Sequence, residues 1–167
     1  MRRVALGGPL LVLVCVGAVA ASAGRPSPWR WLAWNARTHT VRLTLAAGLG
    51  GANGGFDFDG YGRGELLVTV PLGWRVIVDC ENRGARRASC AVVRGALSVR
   101  PAFPGASTPQ PLAGLAPGSR ATFSFVASRT GSYRIASLVP GEEQARMWDV
   151  LDVVRRARPS ISARPGP

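Results

Sequence analysis

The chain has no lysine, one histidine (His39), three cysteines (Cys15, Cys80, Cys90) and two methionines (Met1, Met147). These shortages exclude several chemistries. Without lysine or a strand-to-helix turn, the glycine-rich run Gly48 to Gly55 is not a phosphate-binding loop. No histidine stands near Ser137 to take its proton, and no strand-to-helix elbow surrounds that serine, so nucleophilic catalysis is not expected. The nine acidic residues include the adjacent Glu142-Glu143, but neighbours on one loop do not flank a substrate as glycoside hydrolysis requires. The expectation is therefore a protein that is not an enzyme. His39, in Arg37-Thr38-His39-Thr40 ahead of an alternating strand, reads as an exposed turn residue.

What is abundant is arginine: all 21 basic residues are arginine, and the formal net charge is +12. An anionic partner, a membrane surface or an acidic redox protein, is one reading of that excess. Scatter through strands and loops, alongside many Ala, Gly and Pro, favours the composition of a GC-rich genome instead. No nucleic-acid-binding motif is present, so nucleic acid is not an expected partner.

Export is written at the start of the chain. Met1-Arg2-Arg3 precedes an apolar run from Val4 to Ala20, and Ala21-Ser22-Ala23 is a small-residue cleavage pattern. Cleavage before Gly24 and retention as an anchor are both open; Gly7-Gly8-Pro9 interrupts the run and weakens the anchor reading. Val14 before Cys15 is not the small residue that lipoprotein processing needs. The expected organisation is a signal peptide or anchor over 1–23, a linker over 24–30, one domain over 31–154 and a disordered basic tail over 155–167. The expected location is extracytoplasmic, secreted or tethered to the outer face of the cytoplasmic membrane, with membrane contact through the N-terminal segment.

Short alternating segments separated by Gly and Pro describe an all-β sandwich. Val41 to Leu45, Glu65 to Val70, Trp74 to Cys80, Ala88 to Val93, Ala121 to Ala127, Ser132 to Ala136 and Val150 to Val154 are the expected strands. In Pro26 to Trp34, Trp31 and Trp34 read as packing residues of a first strand, with an interfacial role as the alternative. Asp57 and Asp59 alternate with Phe56 and Phe58 and are expected to face away from the core. With Cys15 removed in the leader, Cys80 and Cys90 form an even pair in an oxidising compartment. A disulfide between adjacent or nearly adjacent strands is expected. Buried free thiols are the alternative, and a third reading makes Cys90 a ligand beside Met147.

The segment Tyr133 to Val150 carries an ancestry. Ser137-Leu138-Val139-Pro140-Gly141-Glu142, followed by Met147-Trp148, resembles the ligand loop of the sulfocyanin-type cupredoxins, small blue-copper proteins. Phe56 to Tyr61, Val70 to Trp74, Pro101 to Thr108 and Thr122 to Phe125 resemble further segments of that family in the same order. The resemblance implies a cupredoxin-like Greek-key β-sandwich. It places Ser137 at the thiolate position, Glu142 at a histidine position and Met147 at the axial position, with Pro140, Gly141 and Trp148 as the loop frame. The remaining histidine position falls on Ala88 or, one residue on, Ser89. The implied function is a binding or accessory module of a redox or copper-handling system, with a degenerate copper site and no cofactor. The alternative is a copper-binding electron-transfer protein whose non-standard site draws on Cys90, Glu142, Met147 and His39. The expected partner is a protein, of a redox system or at the membrane.

Overall fold

Alternation of apolar and polar residues at a period of two gives each strand one buried edge, and two such sheets close on each other. The structure, a computed structural model, describes Arg25 and residues 27–165. The leader expected over 1–23 lies outside the described residues. Nine strands follow one another: β1 (Leu32–Asn35), β2 (Thr40–Ala47), β3 (Leu66–Pro71), β4 (Arg75–Asn82), β5 (Ala91–Val93), β6 (Arg120–Val126), β7 (Gly131–Ala136), β8 (Trp148–Val154) and β9 (Ser160–Ala163). They form a four-stranded sheet, β1-β2-β4-β6, and a five-stranded sheet, β5-β7-β8-β3-β9. The result is the all-β sandwich that the sequence describes.

The core is the meeting of two inner faces. β2 and β4 run parallel with Val41, Leu43 and Leu45 opposite Val76, Val78 and Cys80, all buried. Leu66, Val68 and Val70 of β3, Ile135 of β7, and Leu151 and Val153 of β8 face them from the second sheet. Phe103, in the long connection before β6, stacks on Phe125 at 5.1 Å between ring centroids and tilts against Tyr133 at 4.8 Å. The proline-rich segment is thereby packed onto the sandwich.

Five expectations change. The chain beyond residue 155 is not a structureless tail: β9 pairs antiparallel with β3, and Ile161 is fully buried opposite Val68. One apolar residue at the right register was enough, because β3 would otherwise leave an open edge. Residues 28–31 are a 3-10 turn packed on the domain and not a linker, so the folded unit runs from Pro28 to Ala163. Trp31 is buried, whereas Trp34 is 45% exposed. Cys80 and Cys90 are bonded, with a Cα–Cα distance of 6.0 Å, but Cys80 is on β4 and Cys90 immediately precedes β5, so the bridge crosses between sheets.

The fifth change concerns carboxyls. Asp57 and Asp59 face inward and are fully buried, as is Asp149 at the start of β8. Asp59 accepts from the Ala46 N–H at 2.7 Å, Asp149 from the Leu66 N–H at 2.9 Å, and Asp57 from the Leu49 and Gly60 N–H groups. These side chains replace ladder bonds at strand ends, which the Asp/Phe alternation alone did not reveal. Each leaves one oxygen with no partner among the described residues. Burial pushes Asp59 and Asp149 well above the usual carboxylate range and raises Asp57; mutual repulsion adds to the rise at Asp59 and Asp149.

A carboxyl whose pKa is higher folded than unfolded holds its proton longer in the native state. Its contribution is greatest below the unfolded value near 4 and is lost as pH rises through the folded value. We expect the melting temperature to decline as pH rises above about 4 more steeply in the native protein than in Asp59→Asn or Asp149→Asn, read by thermal denaturation. Replacing both Cys80 and Cys90 by serine is expected to cost about 2–3 kcal/mol, measured by denaturant unfolding with and without reductant.

Candidate functional site

β7 and β8 are antiparallel neighbours with Ala136 opposite Trp148, so the chain between them, 137–147, is a hairpin loop over one end of the sandwich. Ser137 and Met147 are its two feet, joined by the Ser137 N–H to the Met147 carbonyl at 3.3 Å. Between them the backbone coils tightly. The Glu142 N–H donates to Val139, the Ala145 N–H to Gly141, and the Met147 N–H to the Glu142 carbonyl at 3.0 Å. Gly141 takes φ 90°, where a side chain is disfavoured, which explains the Pro140-Gly141 pair.

The loop is closed from below by the segment before β5. Ser89 donates its N–H to Ser137 Oγ at 2.9 Å, and its own Oγ accepts from the Leu138 N–H at 2.8 Å. Ser137 Oγ in turn donates to Glu142 Oε2. All three side chains are buried. Burial raises the Glu142 pKa; the Ser137 hydroxyl and the Arg86 charge oppose that rise. Glu143 turns the other way, pairing with Arg134 at 2.6 Å and accepting from the Leu97 N–H at 2.9 Å. The adjacent glutamates therefore belong to different environments.

Ala88 and Ser89, the two candidates for the remaining ligand position, point in different directions. Ala88 lines the same cleft as Glu142 and Met147, whereas Ser89 points into the serine network. Ala88, Glu142 and Met147 thus line one cleft, and Ser137 is hydrogen-bonded to Glu142 and to the Met147 carbonyl. The cleft has a volume of about 420 Å³, and its remaining wall is largely glycine. Gly48 and Gly84 touch there: a Cβ on Gly48 would stand 2.7 Å from the Gly84 Cα, so Gly48 could not carry a side chain without moving the Gly84 segment.

Two residues considered as ligands are not at the site. His39 is in the turn before β2, at the Thr40 and Arg75 end, while Asn82 at the other end of β4 lines the cleft. Eight residues of strand separate those ends by about 25 Å. Cys90 is in a disulfide and has no thiolate to offer. The donors at the loop end are one carboxyl, one thioether and two hydroxyls, and one hydroxyl is already bonded to the carboxyl. This set does not fit the two imidazoles and thiolate of a trigonal blue-copper site. Among the described residues no group of three or more His, Cys, Asp or Glu is placed to hold a metal. Ser89 was visible in the sequence only as a register marker; its role in holding Leu138 and Ser137 needed the fold.

Residues 28–107 match the family profile of the sulfocyanin (SoxE) domain. Over those residues the chain resembles the sulfocyanin family. The match ends at Ser107, before the Ser137 to Met147 loop, so it carries the fold and leaves the ligand positions to the geometry. No curated protein matches the sequence. Among solved structures, dithionite-reduced auracyanin of the photosynthetic bacterium Roseiflexus castenholzii is similar at 21% identity and a TM-score of 0.51, over 68% of this chain and 96% of that one. Blue copper oxidase of Nitrosomonas europaea is similar at 20% identity and a TM-score of 0.51, over 67% of this chain and 38% of the oxidase. A multi-copper oxidase of Pseudomonas thermotolerans is similar at 15% identity and a TM-score of 0.51, over 71% of this chain and 30% of that one. At these identities the likeness establishes the cupredoxin fold.

In the sulfocyanin-like domain, Glu142→Ala leaves the Ser137 hydroxyl buried without its acceptor. The expected cost is about 1–3 kcal/mol in urea unfolding, with a smaller cost for Glu142→Gln, which keeps an acceptor.

Proposed function

We propose that this is an exported, metal-free binding or accessory module of a redox or copper-handling system. It keeps the cupredoxin frame and has given up the type 1 copper site. The observation that carries this reading is the hydrogen bond from Ser137 to Glu142. The two positions where the family has strong donors are satisfied by each other, inside a network completed by Ser89. A serine hydroxyl stays protonated at neutral pH and is a poor copper ligand, and Ala88 supplies no donor.

Export is supported by the leader pattern and by a disulfide, which persists in oxidising compartments. A protein partner is supported by the loop end itself. Leu97, Val99 and Leu112 are exposed beside a groove of about 200 Å³ that Leu138, Val139 and Pro140 also line. Exposed apolar side chains around a concavity are the chemistry of a contact face.

Metal analysis by mass spectrometry on the exported protein, with a copper titration watched for thiolate-to-copper absorption, tests the reading. The expected result is no stoichiometric copper and no visible band. The triple variant Ala88→His, Ser137→Cys, Glu142→His is expected to gain an intense visible copper band, because Met147 and the loop frame are in place. Stoichiometric copper with a visible band in the native protein would overturn the proposal.

A further inference from the structure

The end of the sandwich opposite the cleft is built differently. It comprises the turn 36–39 between β1 and β2, the connection 72–75 between β3 and β4, the turn 126–130 between β6 and β7, and residues 154–159 after β8. Backbone bonds hold these segments together. Arg75 N–H donates to His39, Leu72 N–H to Val154, Gly73 N–H to Ala127, and Ala127 N–H to Trp74.

Two properties set this end apart. It contains Arg37, Arg75, Arg129, Arg155, Arg156 and Arg158, all exposed, and the four segments contain no Asp or Glu. The ion pairs among the described residues use Arg25, Arg42, Arg83 and Arg134, none of them from this end. Asp57, Asp59, Glu142, Glu143 and Asp149 are buried at or toward the cleft end, and the acid nearest the arginine segments along β8 is the half-buried Asp152, opposite Ser132. The second property is aromatic. Trp34 lies 6.5 Å from Trp74 and His39 lies 5.2 Å from Trp74, ring centroid to ring centroid. Trp34 is 45% exposed and Val126, opposite Arg75, is 46% exposed.

The geometry points to this arginine and tryptophan end as a docking surface for an anionic lipid membrane. Guanidinium groups pair with phosphate oxygens, and each basic group near an anionic leaflet adds to the attraction. Indoles settle at the headgroup level, apolar body inward and N–H toward water. The absence of any carboxylate among the arginines removes the local neutralisation that operates at the cleft end. Scatter along the sequence hid this, because the six arginines come from four separate connections that only the fold gathers at one end.

The test is partitioning of the full chain onto phosphatidylcholine vesicles with and without phosphatidylglycerol at about 0.1 M salt, where surface charges are screened beyond about 10 Å. The quantity read is the increment that phosphatidylglycerol produces, so insertion of an apolar leader into both vesicle types cancels. Arg37→Gln, Arg75→Gln, Arg155→Gln, Arg156→Gln together are expected to lower that increment by about a hundredfold or more. An equal change of charge at the cleft end, Arg63→Gln, Arg86→Gln, Arg87→Gln, Arg146→Gln, is expected to lower it less than about threefold. Trp34→Ser, which leaves the charge unchanged, is expected to lower it several-fold and to abolish a blue shift of tryptophan emission on binding. Equal losses from both arginine sets, or no dependence on phosphatidylglycerol, would overturn the assignment. Thermal melting of each variant separates a lost surface from a lost fold.

Discussion

Ser89, Ser137 and Glu142 satisfy one another inside the loop end of the sandwich, and the neighbouring structure depends on their doing so. A buried carboxyl left alone would carry a desolvation cost comparable to several ordinary hydrogen bonds, and here that cost is offset by the Ser137 hydroxyl. The same network ties the β7–β8 loop to the segment before β5. The disulfide at Cys90, one residue further on, fastens that segment to β4 in the other sheet. Covalent and hydrogen-bonded constraints therefore converge on the few residues around Ala88. The loop keeps its shape through contacts of its own side chains and of Ser89.

Charge is organised along the long axis of the molecule. The cleft end holds buried acids that serve as backbone acceptors at Ala46, Leu49, Gly60 and Leu66, and the four connections at the far end carry arginines and no acid. Two consequences share this cause. Protonated carboxyls in the interior favour the folded state at lower pH, and a far end without acids keeps the full field of its arginines. Both are arrangements of ordinary residues whose composition, taken alone, says only that the chain is basic.

The strands β2, β3, β4, β6, β7 and β8 are legible in the sequence to within a residue or two, because a period of two is imposed by the pleat itself. The loop frame Pro140-Gly141 with Met147-Trp148 is legible for a similar local reason: a tight turn needs those backbone preferences wherever it occurs. Asp57 and Asp59 were illegible because an inward aspartate and an outward one look alike until the unpaired N–H groups of Ala46 and Leu49 are in place. β9 was illegible because a single buried isoleucine in an arginine-rich segment is too faint a pattern, and its reward comes from β3, some 90 residues away. The direction of Ala88 as against Ser89 is a one-residue question of register, which only the cross-sheet contacts answer.

The sequence by itself determined the fold class, the lack of any histidine or cysteine between Ser137 and Met147, and the parity that pairs Cys80 with Cys90. These follow from residue identity and local periodicity. The tertiary structure alone decided that the disulfide crosses between sheets, that Glu142 faces Ser137 while Glu143 faces Arg134, and that arginines scattered along the chain collect at one end with Trp34 and Trp74. Those relations join residues far apart in sequence, and they are set by strand order and register, which local preferences do not specify.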